Sequence, residues 1–231
     1  MQANPGSREI NVSHAKDIAI CLRDRGYEPQ DTAFKINDLG IQLATSLEAI
    51  SGVHRIPTMP YGALTEDEFK TLSRLYTIDP KGTTCPIFSV KFNGKFVGYV
   101  MEYIRGCDLL IYTYNDRLSQ HPKSVMLDIL NQYYDVIENY HANGVAHGDP
   151  NIKNIMINTS SVRPRVVMID PVPISLFNSL HSAIKSDGEI MSNVRCHIEL
   201  RYQIGSGEFE LFRSMAQRGF RLAEPRFESG P

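Results

Sequence analysis

No stretch of the chain approaches the roughly 18 consecutive apolar residues that a membrane-spanning helix requires, which excludes a transmembrane span. The N-terminus lacks the basic-then-apolar layout of a secretory signal peptide. Charge of either sign is not in surplus: 24 basic residues stand against 26 acidic ones and are interspersed with them, so no nucleic-acid partner is expected. Cysteine is sparse, and Cys21, Cys85, Cys107 and Cys196 form no CxxC pair and no metal-ligand spacing. Free thiols in a reducing cytoplasm are the expectation, and a catalytic cysteine is not. Neither an internal repeat nor a low-complexity segment is present. What remains is a soluble globular composition over 231 residues, enough for one large domain or two small lobes.

Residues 1–29 read as a polar N-terminal tail and a short helix: a loose tail over 1–15, with Pro5-Gly6-Ser7 near its start, then a helix from Ser13 to Arg25 that Gly26 ends. From Thr32 to Ile56 the pattern predicts short strands and turns, TAFKI, LGIQLATSLEAI and GVHRI, broken by Pro57 and Pro60. Thr65 and Glu68 make a capping box, and Phe69, Leu72, Leu75 and Tyr76 share one face of the helix it opens. PIFSVKF and KFVGYVMEYI are strands joined at Asn93-Gly94, a strong hairpin signal. Beyond Gly106 a short polar helix is predicted. From Pro122 a longer one carries Val125, Met126, Ile129, Leu130, Tyr133, Val136, Ile137 and Tyr140 at helical spacing. After Asp170 a polar linker around Ser186-Asp187-Gly188 precedes two helical patterns reaching Phe220, and LAEPRFESGP reads as a frayed end. The fold class is α+β, with a small strand-rich part at 30–104 and a mostly helical part at 105–231.

The chemistry concentrates in HANGVAHGDPNIKNIMI, His141 to Ile157, followed by VVMIDP, which ends at Asp170 and Pro171. Asp149 sits in a tight turn, Asn154 follows five residues later, and Asp170 ends an apolar strand one predicted hairpin further on. Each has an ordinary explanation: Gly-Asp-Pro is a good turn, Asn154 a polar strand start, Asp170 a turn former. Taken together, two carboxylates and an amide on rigid supports supply oxygen ligands for Mg²⁺ and an acceptor that orients a hydroxyl. His141, at a helix end, reads as a capping or packing residue. Cys196-His197 lacks partners for a metal site.

These residues carry a resemblance. H-G-D-P-N-I-K-N followed by V-V-M-I-D-P is similar to the catalytic loop and metal-binding aspartate of the protein-kinase-like phosphotransferase superfamily. The nearest flavour is the HGD-type branch of aminoglycoside, choline and lipopolysaccharide core kinases and small atypical or bacterial effector kinases. The resemblance implies a two-lobed protein-kinase-like fold of minimal size, an ATP-binding lobe at 30–104 and a catalytic lobe at 105–231. It also implies Asp149 as catalytic base and Asn154 and Asp170 as magnesium ligands. Lys153 is balanced between neutralising the transferring phosphate and being a solvated lysine. YVMEYIRGCDL resembles the last strand and hinge of the ATP-binding lobe, with Met101 lining the pocket and Glu102, Tyr103 and Ile104 as hinge. Glu68 matches the helix glutamate that pairs with a strand cation, in competition with a purely capping role.

The departures matter as much. No G-x-G-x-x-G is present, and the nearest phosphate-covering turn is GIQLATSLE, Gly40 to Glu48. Two residues compete as strand cation: Lys35, of the right type but 33 residues before Glu68, and Arg55, 13 residues before it. Spacing favours Arg55 and residue type favours Lys35; an arginine fork is not a neutral replacement for an ammonium. Asp170 is followed by Pro171 rather than Phe-Gly, and no A-P-E follows, which argues against a long, phosphorylation-switched activation segment. The expectation is an enzyme using ATP and Mg²⁺, a minimal Ser/Thr protein kinase with a protein substrate, cytoplasmic or secreted into a host cell. A short stretch beyond Asp170 disfavours the alternative of a sugar, lipopolysaccharide or other small-molecule kinase. A pseudokinase acting as a binding module is the alternative from a different class.

Overall fold

A computed structural model describes residues 9–57, 64–114, 121–205 and 207–218. The polar start at 1–8, the break at Pro60 and the terminal stretch from 219, including the expected frayed end, lie outside them. The architecture is α+β. The first half builds a mixed five-stranded sheet in the order β1-β4-β5-β2-β3. Its elements are β1 (Glu9–Val12), α1 (Ala15–Asp24), β2 (Thr32–Ile36), α2 (Ile41–Ser51), β3 (His54–Pro57), α3 (Glu66–Ile78), β4 (Pro86–Phe92) and β5 (Lys95–Glu102). β1 runs parallel to β4 and β3 parallel to β2, whereas β5 is antiparallel to both its neighbours.

Local sequence explains the ends of these elements. Asn93 and Gly94 both take positive φ, 50° and 79°, which matches the twist a two-residue hairpin needs between β4 and β5. Gly52, left-handed at φ 73°, stops α2 by donating its N–H to the Glu48 carbonyl. Thr65 caps α3, its hydroxyl accepting from the Glu68 N–H at 3.4 Å, with Glu66 and Asp67 in the first turn facing the positive helix end.

The sheet is covered on both faces. Ile18 and Leu22 of α1 and Leu43 and Leu47 of α2 pack with Phe34, Phe88, Val90 and Val100 on one side. Phe69 and Leu72 of α3 pack with Ala33, Tyr99 and Met101 on the other. The second half follows as β6 (Gly106–Asp108), α4 (Leu109–Tyr114), α5 (Lys123–Ala142), β7 (Ile155–Asn158), β8 (Arg165–Met168), α6 (Leu180–Tyr202) and α7 (Glu208–Gln217). β6, β7 and β8 form a small antiparallel sheet against a core centred on α5. All eight α5 residues expected at helical spacing are buried. Among the described residues no helix is long and apolar enough to cross a membrane.

Three expectations need correction. Residues 9–12 are not loose tail but strand β1, because Ile10 and Val12 alternate inward against β4. Gly40 to Glu48 is neither strand nor phosphate-covering turn: residues 41–51 are a helix, with Leu43, Ala44 and Leu47 buried on one face. Ser186-Asp187-Gly188 is not a linker but the middle of α6, where Asp187 takes its place in the inward stripe Ala183, Asp187, Met191, Val194, Ile198.

The two halves are joined beside the candidate site. Thr83 bridges to Met168; the Met168 N–H donates to the Gly82 carbonyl at 2.8 Å and the Thr84 N–H to the Met168 carbonyl at 3.1 Å. The Thr83 hydroxyl lies 2.6 Å from that of Tyr140 on α5. β8, and with it the approach to Asp170, is thereby fixed against the chain that leads into β4.

Candidate functional site

The turn at His147–Pro150 is anchored from below. Asp187 is fully buried and accepts the His147 N–H at 2.9 Å on one oxygen and the Gly148 N–H at 2.8 Å on the other. The His141 ring, at the end of α5, places Nε2 2.9 Å from the same carboxylate. A buried carboxylate is costly unless its lone pairs are filled, and three donors fill these. Tyr133 of α5 donates its hydroxyl to the Pro150 carbonyl at 2.7 Å, and the Val172 N–H donates to the His147 carbonyl at 2.8 Å. Gly148 sits at φ 86°, and a Cβ there would lie 2.6 Å from the Val172 carbonyl oxygen, so glycine is required on both counts. The His147 ring is wholly buried, and that burial lowers its proton affinity below the usual histidine range.

Above this base Asp149 is half-buried. Its Oδ2 accepts from the Asn151 amide at 2.8 Å and the Asn154 amide at 3.1 Å, and the Asn154 amide also donates to the Asp149 carbonyl at 2.9 Å. The Asn154 NH₂ is thus committed to Asp149, and its Oδ1 is the atom that could serve as an oxygen ligand. β7 and β8 pair with Ile155 opposite Met168, and the Ile169 N–H donates to the Asn154 carbonyl at 3.0 Å. That register brings Asp170 beside Asn154, as the sequence hairpin implied. Asp170 holds a left-handed backbone, φ 56°, a conformation that costs a non-glycine residue about 1 kcal/mol and clusters at functional sites.

Asp170 meets the first half of the chain through Lys35. The Lys35 ammonium lies 2.9 Å from Asp170 Oδ1 and 2.7 Å from Glu68 Oε1. Burial disfavours its charge, but the adjoining Asp170 and Glu68 carboxylates outweigh burial and raise its pKa above the usual lysine value. Tyr99 adds its hydroxyl to the same Glu68 oxygen at 2.8 Å.

The competition for the strand cation therefore resolves by geometry in favour of Lys35. Arg55 pairs across β2–β3 with Phe34, not Lys35, and so leaves the sheet on the α2 face. There it is exposed, donating to Thr45 Oγ1 at 3.1 Å with Glu48 4.0 Å away. The spacing argument fails because α2 fills the interval between the two strands. Glu68 is not a capping side chain: its backbone N–H takes the cap, and its carboxylate turns inward to Lys35. Lys153 is exposed, with its N–H on Asn151 Oδ1 and no ion pair among the described residues. His141, expected as a capping or packing residue, is part of the Asp187 anchor.

At the end of β5, Glu102 is tied on both sides, its N–H to the Cys85 carbonyl and its carbonyl to the Thr84 hydroxyl. The Tyr103 N–H goes to the Asp31 carbonyl, and its ring stacks on His54 at 3.6 Å. The backbone N–H and C=O of Ile104 have no partner among the described residues. Asp187 and Tyr99 were not singled out by sequence. Asp187 left no usable signal, since the acid interrupts the apolar stripe of its helix, whereas Tyr99 had one, a phenol on the inward face of a strand.

The donor set suits a hard cation: the Asn154 amide oxygen and the Asp170 carboxylate are oxygen ligands, as Mg²⁺ prefers. Among the described residues no group of three or more His, Cys, Asp or Glu is placed to chelate a metal alone. Two protein ligands with the remaining positions left to phosphate and water is the usual arrangement for magnesium. No protein-family model matches this chain, and no curated protein matches it.

Proposed function

We propose that the chain is a Mg-ATP-dependent phosphotransferase with a minimal two-lobed protein-kinase-like fold. In this reading residues 30–104 bind ATP, 105–231 carry the catalytic groups, and a protein serine or threonine hydroxyl is the acceptor. The observation that carries it is the convergence on one point of Lys35, Glu68 and Asp170, from three separate elements, beside the paired Asp149 and Asn154. A buried ammonium shared by two carboxylates is costly as a structural device alone, whereas a phosphate-binding lysine needs such partners to hold it.

Asp170 and Asn154 would hold Mg²⁺, which supplies charge neutralisation for the phosphates when bound. Lys35 engages phosphate oxygens. Asp149, oriented by Asn151 and Asn154, accepts the proton of the acceptor hydroxyl as its oxygen bonds to phosphorus and the bridging P–O bond to ADP breaks. The Ile104 N–H and C=O, unpartnered among the described residues, offer the adenine edge a donor and an acceptor. Catalysis rests on positioning and electrostatics rather than on covalent chemistry. The stretch between Asp170 and α6, residues 171–179, is short and pinned to the His147 turn, which favours an open acceptor site over an enclosed one.

One observation favours a second reading, a nucleotide-binding module without turnover: helix α2 stands where a phosphate-covering turn was expected. Labelled ATP with Mg²⁺, incubated with the protein alone and with a cell extract, separates the readings. Label in protein bands that is lost in Asp149→Asn and Asp170→Ala supports protein phosphorylation. Asp149→Asn should slow transfer by about 100-fold or more while keeping the ATP-induced thermal shift. Labelled small products alone point to a sugar or other small-molecule kinase. A thermal shift without transfer supports the binding module, and neither effect sinks the proposal.

A further inference from the structure

Glu68 Oε1 accepts from two donors on neighbouring strands. Lys35 of β2 and Tyr99 of β5 are direct cross-strand partners, so both leave the sheet on the α3 face, and both end on that oxygen at 2.7 and 2.8 Å. The register depends on Gly98: at φ 153° it lies so close to β2 that a Cβ would overlap the Lys35 carbonyl. Tyr99 is completely buried, its ring 5.6 Å from Phe69 and packed with Leu72 and Met101. A phenol in that position is held by packing and has little freedom to look for another partner. The groups facing Glu68 are Lys35 from β2, Tyr99 from β5 and, further off, Asp170 after β8. Lys35 reaches this point on a four-carbon stem and is divided between two carboxylates. Tyr99 is thus the rigid member of the set.

We propose that Tyr99 is a positioning residue. Its hydroxyl fixes the Glu68 carboxylate, and through it sets Lys35 where the ammonium meets nucleotide phosphates, before any nucleotide arrives. The nucleotide clause rests on the phosphotransferase reading; the tether does not. A chain built this way needs no outside agent to bring α3 against β2, which agrees with the short, pinned stretch after Asp170.

The test uses Tyr99→Phe, which removes one oxygen and keeps the ring, with Glu68→Gln and the double variant, all in the full chain. Lys35 acylation by an amine-reactive acetylating ester is followed by mass spectrometry without nucleotide, against exposed Lys185 as internal reference. Tyr99→Phe should raise the Lys35 rate relative to Lys185 by about fivefold, Glu68→Gln by at least as much, and the double variant no further than Glu68→Gln alone, the signature of coupled residues. In the transfer assay Tyr99→Phe should raise the KM for ATP by about fivefold with kcat within about twofold, a loss of binding rather than of chemistry. An unchanged Lys35-to-Lys185 ratio in Tyr99→Phe, or additive effects in the double variant, overturns the tether. A wild-type chain that neither binds ATP nor transfers phosphate removes the nucleotide clause, and the acylation ratio still decides the tether.

Discussion

Lys35 is one ammonium serving two carboxylates, and its replacement tests the site at the level of a single side chain. Lys35→Met leaves Glu68 and Asp170 facing each other without a cation, and it should cost about 3 kcal/mol in urea unfolding and abolish the ATP thermal shift. Arg55→Ala should leave both within error, since its contacts are exposed ones to Thr45 and Glu48. His147 makes a separate prediction in pH. Its ring is buried and its folded proton affinity is depressed, whereas in the unfolded chain it titrates near the usual value of about 6.5. The unfolded state therefore binds more protons below that pH, so the contribution is fully present above about 6.5 and is lost as pH falls towards the folded value. The urea midpoint should drop between pH 7.5 and 5.5, and His147→Leu should flatten that part of the drop.

At the level of elements, α6 matters through one residue. Asp187→Ala would leave the His147 and Gly148 N–H groups buried without acceptors, and it should cost about 3 kcal/mol or more in chemical unfolding. Asp187→Asn, which keeps one acceptor oxygen, should cost less. The same residue explains what the sequence conceals. Wherever one face of an element is apolar and the other polar, periodicity alone places it: α5, where the eight residues expected to face inward are all buried, and the Asn93-Gly94 hairpin are both legible. The turn at Asp149, the strand leading to Asp170 and the register between them are legible too, because the contacts involved are local. Asp187 is not, because a buried acid interrupts the stripe that would identify its helix, and its meaning lies in donors some 40 residues earlier. α2 is misread because Ile41, Leu43, Ile50 and their neighbours give an apolar run with little contrast between faces. Lys35 and Glu68 share no local signal at all, since only the pairing of β2 with β5 sends Lys35 towards α3.

Across the whole molecule, the first described residues are structural. β1 covers the outer edge of β4 and buries Ile10 and Val12, so removing residues 1–12 should cost about 3–5 kcal/mol. It should also expose an unpaired β4 edge and promote self-association, readable by light scattering. The joint between the halves, Thr83 and Gly82 against Met168 with Thr83 against Tyr140, bears on a different matter, the order of assembly. Most helix and hairpin contacts are short-range and form early, but the Lys35–Asp170 pair requires both sheets to exist and then to dock along that joint. Contacts so distant in the chain close slowly, because loop entropy is lost before they contribute. The polar centre is therefore expected to form late, so that a nascent or partly folded chain would carry its ionisable groups separately, each still solvated and chemically ordinary.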